Sequence, residues 1–195
     1  MNPVQNIQSD RNQARRLKDS NADVCFLALA DANGKASVRT LVLRDINDNR
    51  FTLFINKTSP KWQAFTDGTG HELLIWYASV QRQYRISGSI QELEAGIVKS
   101  NWLRRPTGSK YLDYVYEELG NQSSIIDSRD ILTDKINQLK KDLDAQSMQS
   151  PPMVAGIELI ADRIDVLDLN NQDRIHDRRL YTYDGGTWTS RVLIP

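Results

Sequence analysis

Scarcity of several residue types limits what this chain can be. It has 195 residues and one cysteine, Cys25, which excludes an intrachain disulfide and any multi-cysteine zinc site. Cys25 lies in the apolar run Val24-Cys25-Phe26-Leu27, where an inert, buried thiol is the default, and metal binding is not expected. No segment approaches the ~20 apolar residues of a membrane-spanning helix. The first residues carry arginines and asparagines, with no apolar core ahead of a cleavage site. A soluble, cytoplasmic protein is the expectation. An excess of one charge is missing too, because 25 basic residues balance 25 acidic ones. No global field therefore recruits nucleic acid or an anionic membrane, and an anion site has to come from local clustering. There is no internal repeat and no Gly-x-Gly-x-x-Gly dinucleotide fingerprint.

What is present reads mainly as strands with helices set between them. Residues 1–20 are polar, with Ala14 and Leu17 among basic residues at a spacing that fits a short amphipathic helix or a flexible arm. Residues 21–195 read as a single domain, whose C-terminal region begins at about residue 154. Val24–Ala30 and Ser37–Arg44 are predicted strands joined through an Asn33-Gly34 hairpin signal. In the second, Val38, Thr40 and Val42 share one face while Arg39, Leu41 and Leu43 share the other. A turn cluster over 45–50 precedes a strand at Phe51–Asn56. Ser59 is then an expected N-cap, with Pro60 at the first position of a helix that also carries Lys61. Further strands are expected at Glu72–Ser79 and Arg82–Ile90, with Gln83 on the polar face of the latter, either solvated or bonded to a heterocycle. Helices are predicted over Glu92–Leu103 and Tyr111–Leu119, with Thr107-Gly108-Ser109 as a loop, and again over Ile131–Leu143. Strands close the chain at Val154–Leu169, Arg178–Tyr183 and Thr187–Ile194. This order favours a Greek-key antiparallel barrel with flanking helices, an α+β arrangement, over a βαβ sheet.

One stretch carries chemistry. If Asp173-Arg174-Ile175-His176-Asp177-Arg178-Arg179-Leu180-Tyr181 is extended, Arg174, His176 and Arg178 project together as a cationic face with a titratable imidazole, suited to an anionic ligand. The same spacing also describes a solvated strand edge whose arginines discourage aggregation. Arg39 and Arg44 similarly read as strand-end charges on their own.

The run Arg174-Ile-His-Asp-Arg-Arg-Leu-Tyr181, with Trp188 and the terminal Arg191-Val-Leu-Ile-Pro195, resembles the C-terminal signature of the pyridoxine/pyridoxamine 5'-phosphate oxidases, and the likeness extends from about Ala22 onward. The resemblance implies an FMN-binding split barrel, working as a homodimer with FMN at the subunit interface. It further implies oxidation of pyridoxamine or pyridoxine 5'-phosphate to pyridoxal 5'-phosphate, with O2 as acceptor and H2O2 as product. Cofactor binding would fall to Arg39, Thr40, Leu41, Val42, Leu43, Arg44, Phe54, Ile55, Lys61, Gln83, Gln122, Ser123 and Arg178. Substrate phosphate would fall to Arg44, Arg105 and Ser109, and Arg174 and His176 would lie over the reacting carbon as catalytic and substrate-binding residues. Four positions depart from the family pattern: Arg44 replaces a typical lysine, Pro60 an arginine, Asn101 a substrate-binding tyrosine and Leu167 a flavin-packing tryptophan. The alternatives are a protein of the same fold with another substrate, or a non-catalytic flavin or pyridoxal phosphate binder.

Overall fold

A computed structural model describes residues 2–68, 70–144, 146–169 and 172–195. The chain forms two compact units. The first comprises Met1–Leu53, Asp67–Gln91 and Glu158–Pro195, and the second Phe54–Thr66 and Glu92–Ile157. Among the described residues nine strands make one antiparallel, curled sheet in the order β2-β1-β5-β6-β7-β4-β3, with β8 paired to β7 and β9 to β8. Its members are β1 (Val24–Ala30), β2 (Ala36–Val42), β3 (Asp45–Asn47), β4 (Arg50–Asn56), β5 (His71–Tyr77), β6 (Arg82–Glu92), β7 (Val154–Asp168), β8 (Asp177–Asp184) and β9 (Thr187–Leu193).

In the first unit, β1 alternates so that Cys25, Leu27 and Leu29 are buried, and it pairs with β2 from Val24↔Val42 to Ala30↔Ala36. Gly34 closes that hairpin at φ +77°, a conformation glycine adopts without a Cβ penalty. Leu73, Ile75 and Tyr77 of β5 and Tyr84 and Ile86 of β6 bury the same face. Gly88 marks a close approach of two backbones, because a Cβ there would lie 2.0 Å from the Ile160 carbonyl oxygen. Residues 3–16 form helix α1 (Pro3–Arg16), whose Asn2 cap accepts from Val4 N at 3.0 Å. Val4 and Ile7 are buried, at about 1.5–3 kcal/mol each. Arg11, also buried, donates to Ala22 O at 3.2 Å and to Leu43 O, and pairs with Asp23 at 2.8 Å.

The second unit carries α2 (Pro60–Thr66), α3 (Ala95–Leu103), α4 (Thr107–Leu119) and α5 (Arg129–Asp142) around Val98, Trp102, Tyr111, Val115, Leu139, Met148 and Val154. Three local expectations change. The turn cluster at 45–50 contains β3, which pairs with β4 across Asp48 at φ +49°. The loop expected at 107–109 is the first turn of α4, because Pro106 sets a cap conformation and its carbonyl accepts from Ser109 N at 3.0 Å. Ser59 directs its hydroxyl backward, donating to Asn56 O at 2.6 Å.

Candidate functional site

Strand alternation and register build one face of the first unit. Phe26↔Leu74, Leu74↔Arg85 and Trp76↔Gln83 are cross-strand partners, and Leu167 pairs with Arg178. These residues therefore share the sheet face opposite the one that buries Leu73 and Tyr84. A cavity of about 560 Å³ opens on it, lined by Phe26, Val38, Leu74, Trp76, Gln83, Leu167 and Leu169. Its lining is apolar apart from the Gln83 amide, an arrangement that suits a flat heterocycle needing one or two edge hydrogen bonds. By the same alternation Thr40 and Val42 belong to this face. Arg39 and Leu41 belong to the other, and Arg39 is exposed with Nη1 donating to Val38 O at 2.9 Å. Leu43 and Arg44 follow the end of β2; Leu43 is fully buried and Arg44 exposed, with its backbone N donating to Thr52 O at 3.0 Å.

At the edge of the cavity face, Arg178 is held by a carboxylate. Its Nε donates to Asp165 Oδ1 at 3.1 Å and its Nη2 to Oδ2 at 2.7 Å, while Arg85 Nη1 lies 3.6 Å from the same Oδ2. That partner raises the Arg178 guanidinium above its ordinary pKa. Arg85 is raised chiefly by Glu72, to which its Nε donates at 2.7 Å.

The expectation of one extended face through Arg174, His176 and Arg178 is corrected. Strand β8 begins only at Asp177, and Arg174 has φ +65°. Asp173 accounts for the break, since its Oδ1 accepts from Ile175 N at 2.9 Å and turns the chain. Arg174 is exposed and His176 half-buried on the segment that leads into β8. A non-glycine residue in the left-handed region costs energy and tends to mark a functional position.

The second unit supplies a polar cleft of about 390 Å³ lined by Lys57, Thr58, Ser59, Pro60, Gln63 and Asn121–Ser124. Lys61 Nζ donates to Gln122 Oε1 at 2.8 Å, Gln122 N to Thr58 Oγ1 at 3.1 Å, and Thr58 N and Oγ1 both to Asn56 Oδ1 at 2.8 and 2.7 Å. Asn56 Nδ2 is buried with no hydrogen-bond partner among the described residues. Ser123 is held at φ +79°. Lys57 is engaged by Glu92 at 2.6 Å and lies 4.8 Å over the Trp62 ring. In the same unit Ile55 is buried and Phe54 packs on the helical core.

Arg105 and Ser109 lie in this unit as well. Arg105 Nη1 donates to Asp113 Oδ2 at 2.5 Å, and the same oxygen accepts from Trp102 Nε1 at 2.7 Å. Asp113 and Asp165, the carboxylates that pair with Arg105 and Arg178, are partners that spacing did not disclose. The available signal was a charged residue inside an apolar stretch, Ile164-Asp165-Val166 and Tyr111-Leu-Asp113-Tyr-Val115. No group of three or more His, Cys, Asp or Glu able to hold a metal occurs among the described residues, and none of their helices is long and apolar enough to cross a membrane.

Residues 12–141 match the family model described as pyridoxamine 5'-phosphate oxidase. A pyridoxine/pyridoxamine 5'-phosphate oxidase of Nostoc punctiforme is 30% identical over 187 residues, covering 95% of this chain and 84% of the relative. One of Paraburkholderia phymatum is 31% identical over 173 residues, covering 87% and 77%. Among solved structures, PhzG of Burkholderia lata in complex with tetrahydrophenazine-1-carboxylic acid superposes with a TM-score of 0.87 at 22% identity, covering 100% of this chain and 93% of that one. A pyridoxamine 5'-phosphate oxidase-related, FMN-binding protein of Nostoc punctiforme superposes at 0.76 with 17% identity, covering 97% and 95%. Both share the split-barrel fold.

Proposed function

Because the chain belongs to the pyridoxamine 5'-phosphate oxidase family, we propose that it is an FMN-dependent oxidase that converts the 4'-hydroxymethyl or 4'-aminomethyl group of a pyridoxine- or pyridoxamine-type substrate to the aldehyde. The 5'-phosphates of those compounds, giving pyridoxal 5'-phosphate, are the substrates the relatives' names carry. Dioxygen accepts the two electrons and leaves as H2O2; the amine additionally consumes water and releases ammonia. The observation that carries this reading is the apolar cavity with the single amide of Gln83, on the sheet face that ends at Arg178.

The residues fit the cofactor. The cavity's apolar lining suits the ring system, with Thr40 and Val42 on the same face. Gln122 and Ser123 line the second unit's cleft, and Lys61 donates to Gln122 from beside it, which makes the cleft suited to a polar, anionic group. Bound FMN supplies the two-electron oxidation and the reaction with dioxygen. The protein's part is to bind, orient and exclude water. Arg174 and His176 orient the substrate and assist removal of hydrogen from its reacting carbon, Arg178 serves the cofactor, and Arg44, Arg105 and Ser109 are the candidates for a substrate phosphate. A homodimer is part of this reading. Val38 and Val42, each more than half exposed on the cavity face, support a second copy covering that face.

One observation favours a second reading, in which the same chemistry acts on a ring that lacks the phosphate: Arg105 is paired with a buried carboxylate. The test of the first reading is to purify the chain, identify the released flavin, and follow peroxide after adding pyridoxine 5'-phosphate under air. FMN at one per chain with peroxide formation is expected. FAD, or a flavin-loaded protein that oxidises neither pyridoxine, pyridoxamine nor their phosphates, overturns it.

A further inference from the structure

The chain's four tryptophans differ in how they are engaged, and the exception lies in the apolar cavity of the first unit. Trp62 lies under the Lys57 ammonium at 4.8 Å, Trp102 donates to Asp113 at 2.7 Å, and Trp188 packs on Tyr183 with ring centroids 5.0 Å apart. Trp76 has no cation, ring or hydrogen-bond partner among the described residues, and neither has the side chain of Gln83. The two are register partners on β5 and β6, so they stand side by side on the cavity wall. Their neighbours Ile75, Tyr77 and Tyr84 point the other way and are fully buried, whereas Trp76 and Gln83 are half-buried. Besides the Gln83 amide, the Trp76 indole nitrogen is the one polar side-chain atom on a lining otherwise made of phenylalanine, valine and leucine.

This pair sets what the cavity can accept, an implication that rests on reading the site as that of an FMN-dependent oxidase. A ring seated in the cavity removes water from the polar atoms of its wall. A donor buried there without an acceptor costs its full desolvation penalty, which is why buried indole N–H groups are found paired. An indole N–H can only donate, while an amide side chain both donates and accepts. The occupant must therefore present an acceptor to Trp76 and, beside it, a donor and an acceptor to Gln83. A cyclic imide edge, two carbonyls flanking an N–H, has that pattern. A benzenoid edge has none of it, and the isoalloxazine ring carries one edge of each kind. We infer that Trp76 is a binding residue that acts with Gln83: its indole N–H donates to a carbonyl on the pyrimidine edge of the bound flavin, turning that edge, and not the dimethylbenzene edge, toward β5 and β6. A donor placed there also stabilises the negative charge that this edge gains when the flavin is reduced.

The experiment uses the whole chain, stripped of flavin and titrated with FMN and with riboflavin, which has the ring but no phosphate. Trp76→Phe keeps an aromatic ring and removes the N–H; Trp76→Leu removes both. Trp76→Phe should weaken both flavins about tenfold, equivalent to about 1.4 kcal/mol, and Trp76→Leu should weaken them further, with the same fold-loss for riboflavin as for FMN. The reduction potential of the bound flavin should become more negative in both variants, a change that loss of packing alone does not predict. Unchanged affinity and potential in Trp76→Phe, or a loss confined to FMN, overturns the inference. A measurement on the wild type depends on no variant folding. The Trp76 indole N–H resonance should move downfield and become protected from exchange with water when riboflavin is added, and an indole that keeps its shift and exchange rate overturns the inference as well. Peroxide formation separates this inference from the oxidase reading. A wild type that binds flavin but oxidises none of pyridoxine, pyridoxamine and their phosphates removes that reading and leaves Trp76 to be decided by affinity, potential and resonance. A wild type that turns over while Trp76→Phe matches it in affinity and potential removes only the inference, and one that binds neither flavin removes both.

Discussion

Arg178 donates through Nε and Nη2 to the two oxygens of Asp165, a fork that spans β8 and β7 on the cavity face. The carboxylate is the buried partner, with 7% of its side chain exposed against 29% for Arg178. Arg178→Ala should therefore act twice. It leaves a buried carboxylate with Arg85 at 3.6 Å as its remaining cation, which should lower stability, and it removes a cation proposed to hold FMN. Urea unfolding and flavin fluorescence after gel filtration read the two effects separately. Unchanged flavin retention with reduced stability would leave Arg178 as a sheet residue alone.

This pairing also shows which features a sequence discloses. Strand positions were legible because alternation has a period of two and Asn33-Gly34 marks a turn, which sits at a strand reversal. The cavity face followed from that alternation once cross-strand register was known. Asp165 and Asp113 were not legible as partners, because which cation meets which carboxylate depends on register and helix packing. Thr107-Gly108-Ser109 has loop composition, yet Pro106 and the tertiary contacts of Tyr111 and Val115 draw it into α4. The break at Arg174 had a visible cause in Asp173, a residue that readily accepts from the backbone two positions on.

Tyr77 and Tyr84 meet edge to face, with ring centroids 6.3 Å apart and planes at 67°. Their hydroxyls differ in kind. Tyr84 donates to Asp10, which Arg82 also engages at 2.8 Å, whereas the buried Tyr77 hydroxyl has no partner among the described residues. Burial pushes both phenols up. Tyr77→Phe removes an unsatisfied group and should be neutral or stabilising by about 1 kcal/mol, while Tyr84→Phe should cost about 1.5–3 kcal/mol. Equal losses in both variants by thermal unfolding would contradict this.

Asp23 ties α1 to the sheet through Arg15, at 3.0 Å from Nε, and Arg11, at 2.8 Å. Burial raises its carboxyl, but the hydrogen bonds from Arg15 and then Arg11 outweigh that and hold it below the ordinary range. A depressed folded-state pKa gives stability that is present above the unfolded value, ~3.9, and lost as pH falls through the folded value. Asp23→Asn should lower the urea midpoint at pH 7 and flatten its decline between pH 5 and the acid end. An acid slope identical to the wild type would exclude Asp23 from the acid response.

The left-handed backbone of Arg174 separates strain from side-chain chemistry. At φ +65° a residue with a Cβ pays about 1–2 kcal/mol that glycine does not. Arg174→Gly and Arg174→Ala both delete the guanidinium, but only glycine relieves the backbone, so the glycine variant should be the more stable by about 1 kcal/mol. If the side chain works on the substrate, both variants lose kcat/KM tenfold or more while retaining flavin, and the more stable one is no more active. If the turn geometry is what counts, by presenting His176 from its half-buried position ahead of β8, the alanine variant keeps most of the turnover and the glycine variant loses it through a loosened segment. Wild-type turnover in both variants would leave Arg174 as a solvated residue on the segment ahead of β8. Thermal midpoints, flavin occupancy and kcat/KM on the same three preparations distinguish these outcomes, because side-chain loss, strain relief and loosening each predict a different order of the three proteins.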